Sequence, residues 1–209
     1  ERSALFNKDQ IKIFNKIVQE INSTEEKSRL FFIDGPGGSG KTFLYNTLLN
    51  KLRSTGRIAT ALASSGIASL LLNNGNTAHS ILHIPLKCDD QSVCNISINN
   101  ESAELIRNTD LIIWDEAPMM GKYVYETVDR TFKDIMKTVS GELECISLGG
   151  KVIIFGGDFR QILPVVKHGN RAQIVSQCLN KSVLWSSITK HRLTENMRIK
   201  QSTSINNGD

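Results

Sequence analysis

Near the start of the chain lies Gly35-Pro36-Gly37-Gly38-Ser39-Gly40-Lys41-Thr42, which fits the phosphate-loop spacing Gly-x-x-x-x-Gly-Lys-Thr. Glycines let successive backbone N–H groups turn inward around phosphate oxygens, and a helix starting at the lysine adds the positive end of its dipole. Lys41 has the reach for β- and γ-phosphates, and the Thr42 hydroxyl is a natural Mg²⁺ ligand. Two carboxylates close the run Leu111-Ile112-Ile113-Trp114-Asp115-Glu116. Beside a phosphate loop, an aspartate there holds the Mg²⁺ shell and the adjacent glutamate polarises an attacking water. Another apolar run, Val152–Phe155, passes into Gly156-Gly157-Asp158-Phe159-Arg160-Gln161. The Gln161 amide both donates and accepts, which suits it to the γ-phosphate or the water. Arg198 offers a cation to the same phosphate. The candidate catalytic set is therefore Lys41, Glu116, Gln161 and Arg198, with Thr42 and Asp115 on the metal.

These residues need a scaffold that brings them together. Short apolar runs predict strands over Leu30–Asp34, Arg57–Ala63, Leu111–Trp114 and Lys151–Phe155, with a fifth over His191–Thr194. Between them lie helical patterns. Ile11, Phe14, Val18 and Ile21 mark a face near the N-terminus; one helix runs from the phosphate loop to about Ser54, and another holds Ile67 and Leu70–Leu72. Val128, Phe132, Ile135 and Val139 give a further helix its stripe, while the polar segment Lys87–Asn100 reads as a surface excursion. This alternation predicts an α/β fold, a parallel sheet with helices on both faces. Each strand is followed by small or charged residues: Gly35–Thr42, Ser64–Gly66, Asp115–Glu116, Asp158–Gln161 and Glu195–Arg198. Ligands of open α/β sheets bind outside the carboxyl ends of the strands, so five such clusters predict one site.

Composition narrows the class. A chain of 209 residues, 40% hydrophobic and 22% charged, supports one large domain, here residues 1–200 with a polar tail at 201–209, and excludes a disordered polymer. No apolar run approaches the ~18 residues of a membrane span. Twenty-five Lys and Arg against 21 Asp and Glu leave a charge of +4, which accommodates an anionic partner without demanding one. The four cysteines lack paired metal or redox spacing and read as reduced thiols of a cytosolic or nuclear protein. The chain opens with neither Met nor a secretory signal, which predicts a piece of a longer protein.

In combination, the ordered motifs resemble the PIF-type (petite integration frequency) DNA helicases of helicase superfamily one, with the eukaryotic, Helitron-like members most similar. Phe6-Asn7-Lys8-Asp9-Gln10 resembles the family's glutamine motif, which implies that the Gln10 amide reads the adenine edge. Ala61–Ser69, with Ser64-Ser65-Gly66, resembles the first DNA-contact motif, and Gly75-Asn76-Thr77-Ala78-His79-Ser80 the second, which implies DNA contacts at Ser64, Ser65, Gly66, Thr77 and His79. Gly149-Gly150-Lys151 through Val165 resembles the family signature and third motif; Leu193–Arg198 resembles the fourth, with its γ-phosphate-sensing arginine. The resemblance spans roughly residues 5–200. It implies a RecA-like motor domain that binds ATP with Mg²⁺ and single-stranded DNA, in a parent moving 5′ to 3′ with a second RecA-like lobe and no membrane association. It further implies a nuclear location, with the mitochondrion as the alternative, and work in DNA repair, recombination and telomere maintenance.

There are departures: Ser65 stands for the usual threonine, Ser147-Leu148 for the usual Pro-Phe, and Lys87–Asn100 matches no motif. Two other classes stay open. One is a different phosphate-loop enzyme, although no Asn-Lys-x-Asp guanine signature occurs at the right spacing. The other is a nucleotide-gated DNA-binding module without appreciable turnover.

Overall fold

Leu30, Phe31, Phe32 and Ile33 are all buried, which requires a strand covered on both faces. The computed structural model describes residues 5–25 and 27–197. Its six strands are β1 (Arg29–Asp34), β2 (Ile58–Ala63), β3 (Gly75–Thr77), β4 (Thr109–Asp115), β5 (Val152–Gly157) and β6 (Ile188–Arg192). They form one parallel sheet in the order β3-β2-β4-β5-β1-β6. The helices are α1 (Lys8–Ile21), α2 (Lys41–Arg53), α3 (Gly66–Ser69), α4 (Ala78–Ile81), α5 (Glu101–Asn108), α6 (Lys122–Met136) and α7 (Arg171–Ser176).

Alternate residues of β1 feed two separate cores, as the two-residue period of a strand dictates. Phe31 and Ile33 join Ile13 and Ile17 of α1 and Leu44, Tyr45 and Leu48 of α2. Leu30 and Phe32 join Ile106 of α5, Val128 and Phe132 of α6, and Trp114 and Phe155 from the neighbouring strands. The parallel α/β architecture expected from the alternating pattern is therefore present, with β5 directly beside the phosphate-loop strand.

Local details differ from the sequence expectations. On α1 the buried face is Gln10, Ile13, Ile17 and Glu20, whereas Ile11 is exposed and Phe14, Val18 and Ile21 are only partly covered. An apolar-only pattern misses this stripe because two of its members are polar. The helix expected to carry Ile67 and Leu70–Leu72 is a single turn, α3; Ile67 and Leu70 are each 83% exposed and only Leu72 of the apolar set is buried. The chain there turns back early to pair β3 with β2, Ala63 opposite Thr77. Helix α6 ends at Met136, leaving Val139 exposed, and β6 begins three residues before the expected strand. The 87–100 excursion is irregular yet anchored: Cys94 is buried, its N–H donates to Thr131 Oγ1 (2.8 Å), and Arg130 Nε donates to the Ser92 carbonyl (2.8 Å).

The segment bearing Ser147-Leu148 packs tightly on α6. Leu148 and Gly149 both have positive φ (52° and 58°), and the Leu148 N–H donates to Asp129 Oδ1. A Cβ on Gly149 would lie 2.6 Å from Met136 Cγ and 2.9 Å from the Phe132 carbonyl oxygen. Gly149→Ala is therefore expected to destabilise the fold by about 2 kcal/mol or more, from overpacking and left-handed backbone together, as measured by urea unfolding.

Candidate functional site

The phosphate loop leaves β1 and enters α2 through Gly38 and Gly40, both at φ 83°, a left-handed conformation that glycine adopts without penalty. The loop is braced from two sides. Gln10 Nε2 donates to the Gly40 carbonyl (3.3 Å), and the Met197 N–H donates to the Gly38 carbonyl (2.9 Å). A Cβ on Gly40 would overlap the Gln10 amide, so this residue pair fixes how closely α1 approaches the loop. Gln10 is 1% exposed and forms a capping box with Asn7: its Oε1 accepts the Asn7 N–H (3.0 Å), and its own N–H donates to Asn7 Oδ1 (2.9 Å). Its amide is thus occupied in joining helix cap to loop.

Lys41 Nζ donates to the carbonyls of Gly35 (2.5 Å) and Pro36 (3.4 Å), curling over the loop it belongs to. Across from it, β4 ends in Asp115, 3% exposed, whose Oδ1 accepts the Glu116 N–H (3.0 Å). Glu116 has φ 53°, a strained conformation for a side chain of its size, and such strain clusters at functional sites. Burial pushes the Asp115 carboxyl above its usual range, against a smaller pull downward from the Glu116 N–H and Lys41. Burial and then the neighbouring Asp115 raise Glu116 as well. Gln161 Nε2 donates to Asp158 Oδ2 (2.9 Å), and Arg160 Nε to Asp158 Oδ1 (2.7 Å). Burial raises Asp158, but these bonds outweigh it and hold the carboxyl below its usual range.

Gly37, Gly38, Ser39, Gly40, Lys41, Thr42, Asp115, Glu116 and Gln161 line one cleft of about 290 Å³, joined by Leu71 and Met197. Gly35 and Pro36, also expected to bind nucleotide, do not line it and meet the site only through the carbonyls that hold Lys41. Arg198 lies outside the described residues, as does the polar tail at 201–209. Two fully buried oxygens beside the cleft, Ser39 Oγ and Tyr45 Oη, have no hydrogen-bond partner among the described residues. Inward-turning glycines, a lysine, unpaired buried donors and an acid pair fit a polyphosphate carrying a divalent cation.

The residues expected to touch DNA gather on the same rim, at the ends of β2 and β3. Ser64 accepts from Trp114 Nε1 (3.2 Å), and its N–H donates to the Asp115 carbonyl (3.0 Å), which couples this rim to the acid pair. The hydroxyls of Ser65 and Thr77 cap α3 and α4, accepting from Ala68 N–H (3.2 Å) and Ser80 N–H (3.4 Å). A Cβ on Gly66 would meet nothing within 4 Å, so that backbone is open. His79 is partly buried, and desolvation lowers its pKa, which keeps the ring neutral at pH 7. Sequence reasoning placed Asn7 and Met197 inside motifs without giving either a role, and it did not single out Tyr45; the first acts through a helix cap, and the others look like ordinary apolar residues.

A parallel sheet whose phosphate loop and acidic strand end share one cleft defines a P-loop nucleotide-binding lobe. The PIF1-like helicase family profile matches residues 5–208, and the chain belongs to that family. The ATP-dependent DNA helicase Pif1 of Campylobacter jejuni is 30% identical over 144 residues, 65% of this chain and 29% of its own length. Pif1 from Bacteroides, solved bound to single-stranded DNA, superposes with a TM-score of 0.74 at 22% identity, covering 97% of this chain and 46% of that one. The complex of Bacteroides Pif1 with ADP-AlF3 and single-stranded DNA gives 0.72 at 23% identity, covering 93% and 43%. The fold is therefore the RecA-like one, and the chain spans less than half the length of each of these relatives.

The raised acid pair has a consequence for stability. Between the ordinary carboxylate pKa and its higher folded value, the folded chain holds protons that the unfolded chain has released, so stability falls as pH rises through that window. Asp115→Asn is expected to raise the stability of the ligand-free protein at pH 7. The gain should fade as pH falls through the raised folded pKa and be gone below about 3.9, the ordinary aspartate value. Denaturant unfolding of both proteins across pH checks this.

Proposed function

We propose that this chain is the first motor lobe of an ATP-dependent DNA helicase, binding ATP with Mg²⁺ in the cleft and single-stranded DNA along the adjoining rim. The observation that carries the reading is the convergence of Lys41, Thr42, Asp115, Glu116 and Gln161 on one cleft. Thr42 and Asp115 would hold Mg²⁺, which would neutralise phosphate charge. Lys41 exchanges its loop carbonyls for phosphate oxygens. Glu116, with its carboxyl raised by burial, takes the proton of the attacking water, and Gln161 orients that water. Adenine preference through Gln10 asks that the amide release Gly40 or Asn7.

DNA binding draws on Ser64, Ser65, Gly66, Thr77 and His79, through backbone N–H groups, hydroxyls and a neutral imidazole. Such contacts suit phosphates and carry no sequence information. The proposed 5′ to 3′ direction and the nuclear (alternatively mitochondrial) site of action rest on the motif resemblance. No helix among the described residues is long and apolar enough to cross a membrane.

The opposite wall of the cleft, with a further arginine, is assigned to a second RecA-like lobe of the same parent chain; the solved relatives are more than twice as long. An arginine from such a wall is worth about 10³–10⁵ in rate in related enzymes. Residues 1–209 alone are therefore expected to bind ATP but hydrolyse it slowly, with little stimulation by single-stranded DNA. Extension through a second lobe should restore turnover, and Glu116→Gln in the extended protein should cut it by about 10²–10⁴ while leaving ATP binding intact. Brisk DNA-stimulated hydrolysis by the isolated chain would contradict the missing-wall account. For DNA, hydroxyls and a neutral imidazole neutralise no phosphate, so a Ser65→Ala/His79→Ala variant is expected to weaken single-strand binding while leaving its log–log salt slope nearly unchanged. Unchanged affinity of that variant would leave those residues a structural role only.

A further inference from the structure

Tyr45 lies in the second turn of α2, four residues beyond Lys41, and its side chain is fully buried. Its hydroxyl nonetheless has no hydrogen-bond partner among the described residues. An unpaired buried hydroxyl is costly, and phenylalanine would fill the same space without that cost. The neighbourhood of the oxygen is specific. A Cβ on Gly156 would overlap Tyr45 Oη and lie 3.0 Å from Asp115 Oδ1, so the phenol oxygen and the carboxylate border the same glycine-sized gap over Gly156 of β5. Burial, with Asp115 and then Glu116 nearby, pushes the phenol well above its ordinary pKa, so it stays protonated and acts as a donor.

We propose that Tyr45 is a positioning residue for the divalent cation, its hydroxyl donating to Asp115 when that carboxylate turns to meet the metal and so fixing which oxygen faces it. The inference rests on the reading of Asp115 as the Mg²⁺-side carboxylate. Carboxylates that bind metals are themselves held by hydrogen bonds from outside the coordination sphere, and losing such a partner costs about 10–100-fold in metal affinity. Gly156 is then required at its position because any side chain would displace the phenol from the carboxylate. The hydroxyl is a liability in the ligand-free protein and gains its partner as the cation binds.

The two states give effects of opposite sign, which a purely structural tyrosine would not. The test uses residues 1–209, as wild type and as Tyr45→Phe, with Mn²⁺ as the probe in the presence of ADP, followed by electron paramagnetic resonance. Tyr45→Phe is expected to raise the melting temperature of the ligand-free protein by about 2–4 °C. It is expected to weaken Mn²⁺ binding about tenfold while leaving ADP affinity in EDTA unchanged. Unchanged Mn²⁺ affinity, or an equal loss of ADP affinity in EDTA, overturns the role of Tyr45 and leaves the nucleotide reading standing. Failure of the wild-type protein to bind Mn²⁺ with ADP overturns the nucleotide reading itself.

Discussion

Asp34 and Gly157 sit opposite one another where β1 and β5 end in parallel register, and the site depends on that pairing. Because all six strands run the same way, every loop that follows a strand opens on one rim. Because β5 lies between β1 and β4, Gln161 emerges between the phosphate loop and the acid pair. Hydrogen bonds of the ladder fix the strand ends, and a few bonds outside it fix the loops. The Leu193 N–H donates to the Asp34 carbonyl (2.8 Å), and the Gly38 and Gly40 carbonyls are held by Met197 and Gln10. The flexible element of the site is thus clamped by segments from both ends of the described chain.

That rim carries the destabilising features of the fold. Glu116 occupies a left-handed conformation, Asp115 is buried with its carboxyl pushed up by desolvation, and the hydroxyls of Ser39 and Tyr45 have no hydrogen-bond partner among the described residues. Each costs free energy in the ligand-free protein, and a bound cation with its polyanion would offset the desolvation of Asp115. The stability to tolerate them comes from the two apolar cores flanking the sheet, which bury β1 from both sides. Strain and packing are therefore segregated, with the apolar layers rigid and the polar edge poised.

Much of this was legible in the sequence because the signals are local. Strands buried on both faces appear as continuous apolar runs, and the phosphate loop needs its glycines and lysine at fixed spacing. Asp115 and Glu116 stand out as charges at the end of such a run. What escaped is governed by contacts between distant residues. Strand β3 is three polar or small residues that pair only because β2 offers an edge. The buried face of α1 includes Gln10 and Glu20, which no apolar pattern selects. The capping of α3 and α4 by Ser65 and Thr77 shows hydroxyls with a local task on the same rim that the motif resemblance assigns to DNA. Tyr45 reads as core until Gly156 and Asp115 are placed beside its oxygen.

The central claim is that the Gly35–Thr42 loop and the acid pair together form a magnesium–nucleotide site. Calorimetric titration of ATP with Mg²⁺ into the wild-type chain and into Lys41→Ala tests it most directly. Removing a charge-assisted contact to phosphate should weaken binding about tenfold or more, with the folded state retained. Equal affinities for the two proteins, or no binding by either, would contradict the account.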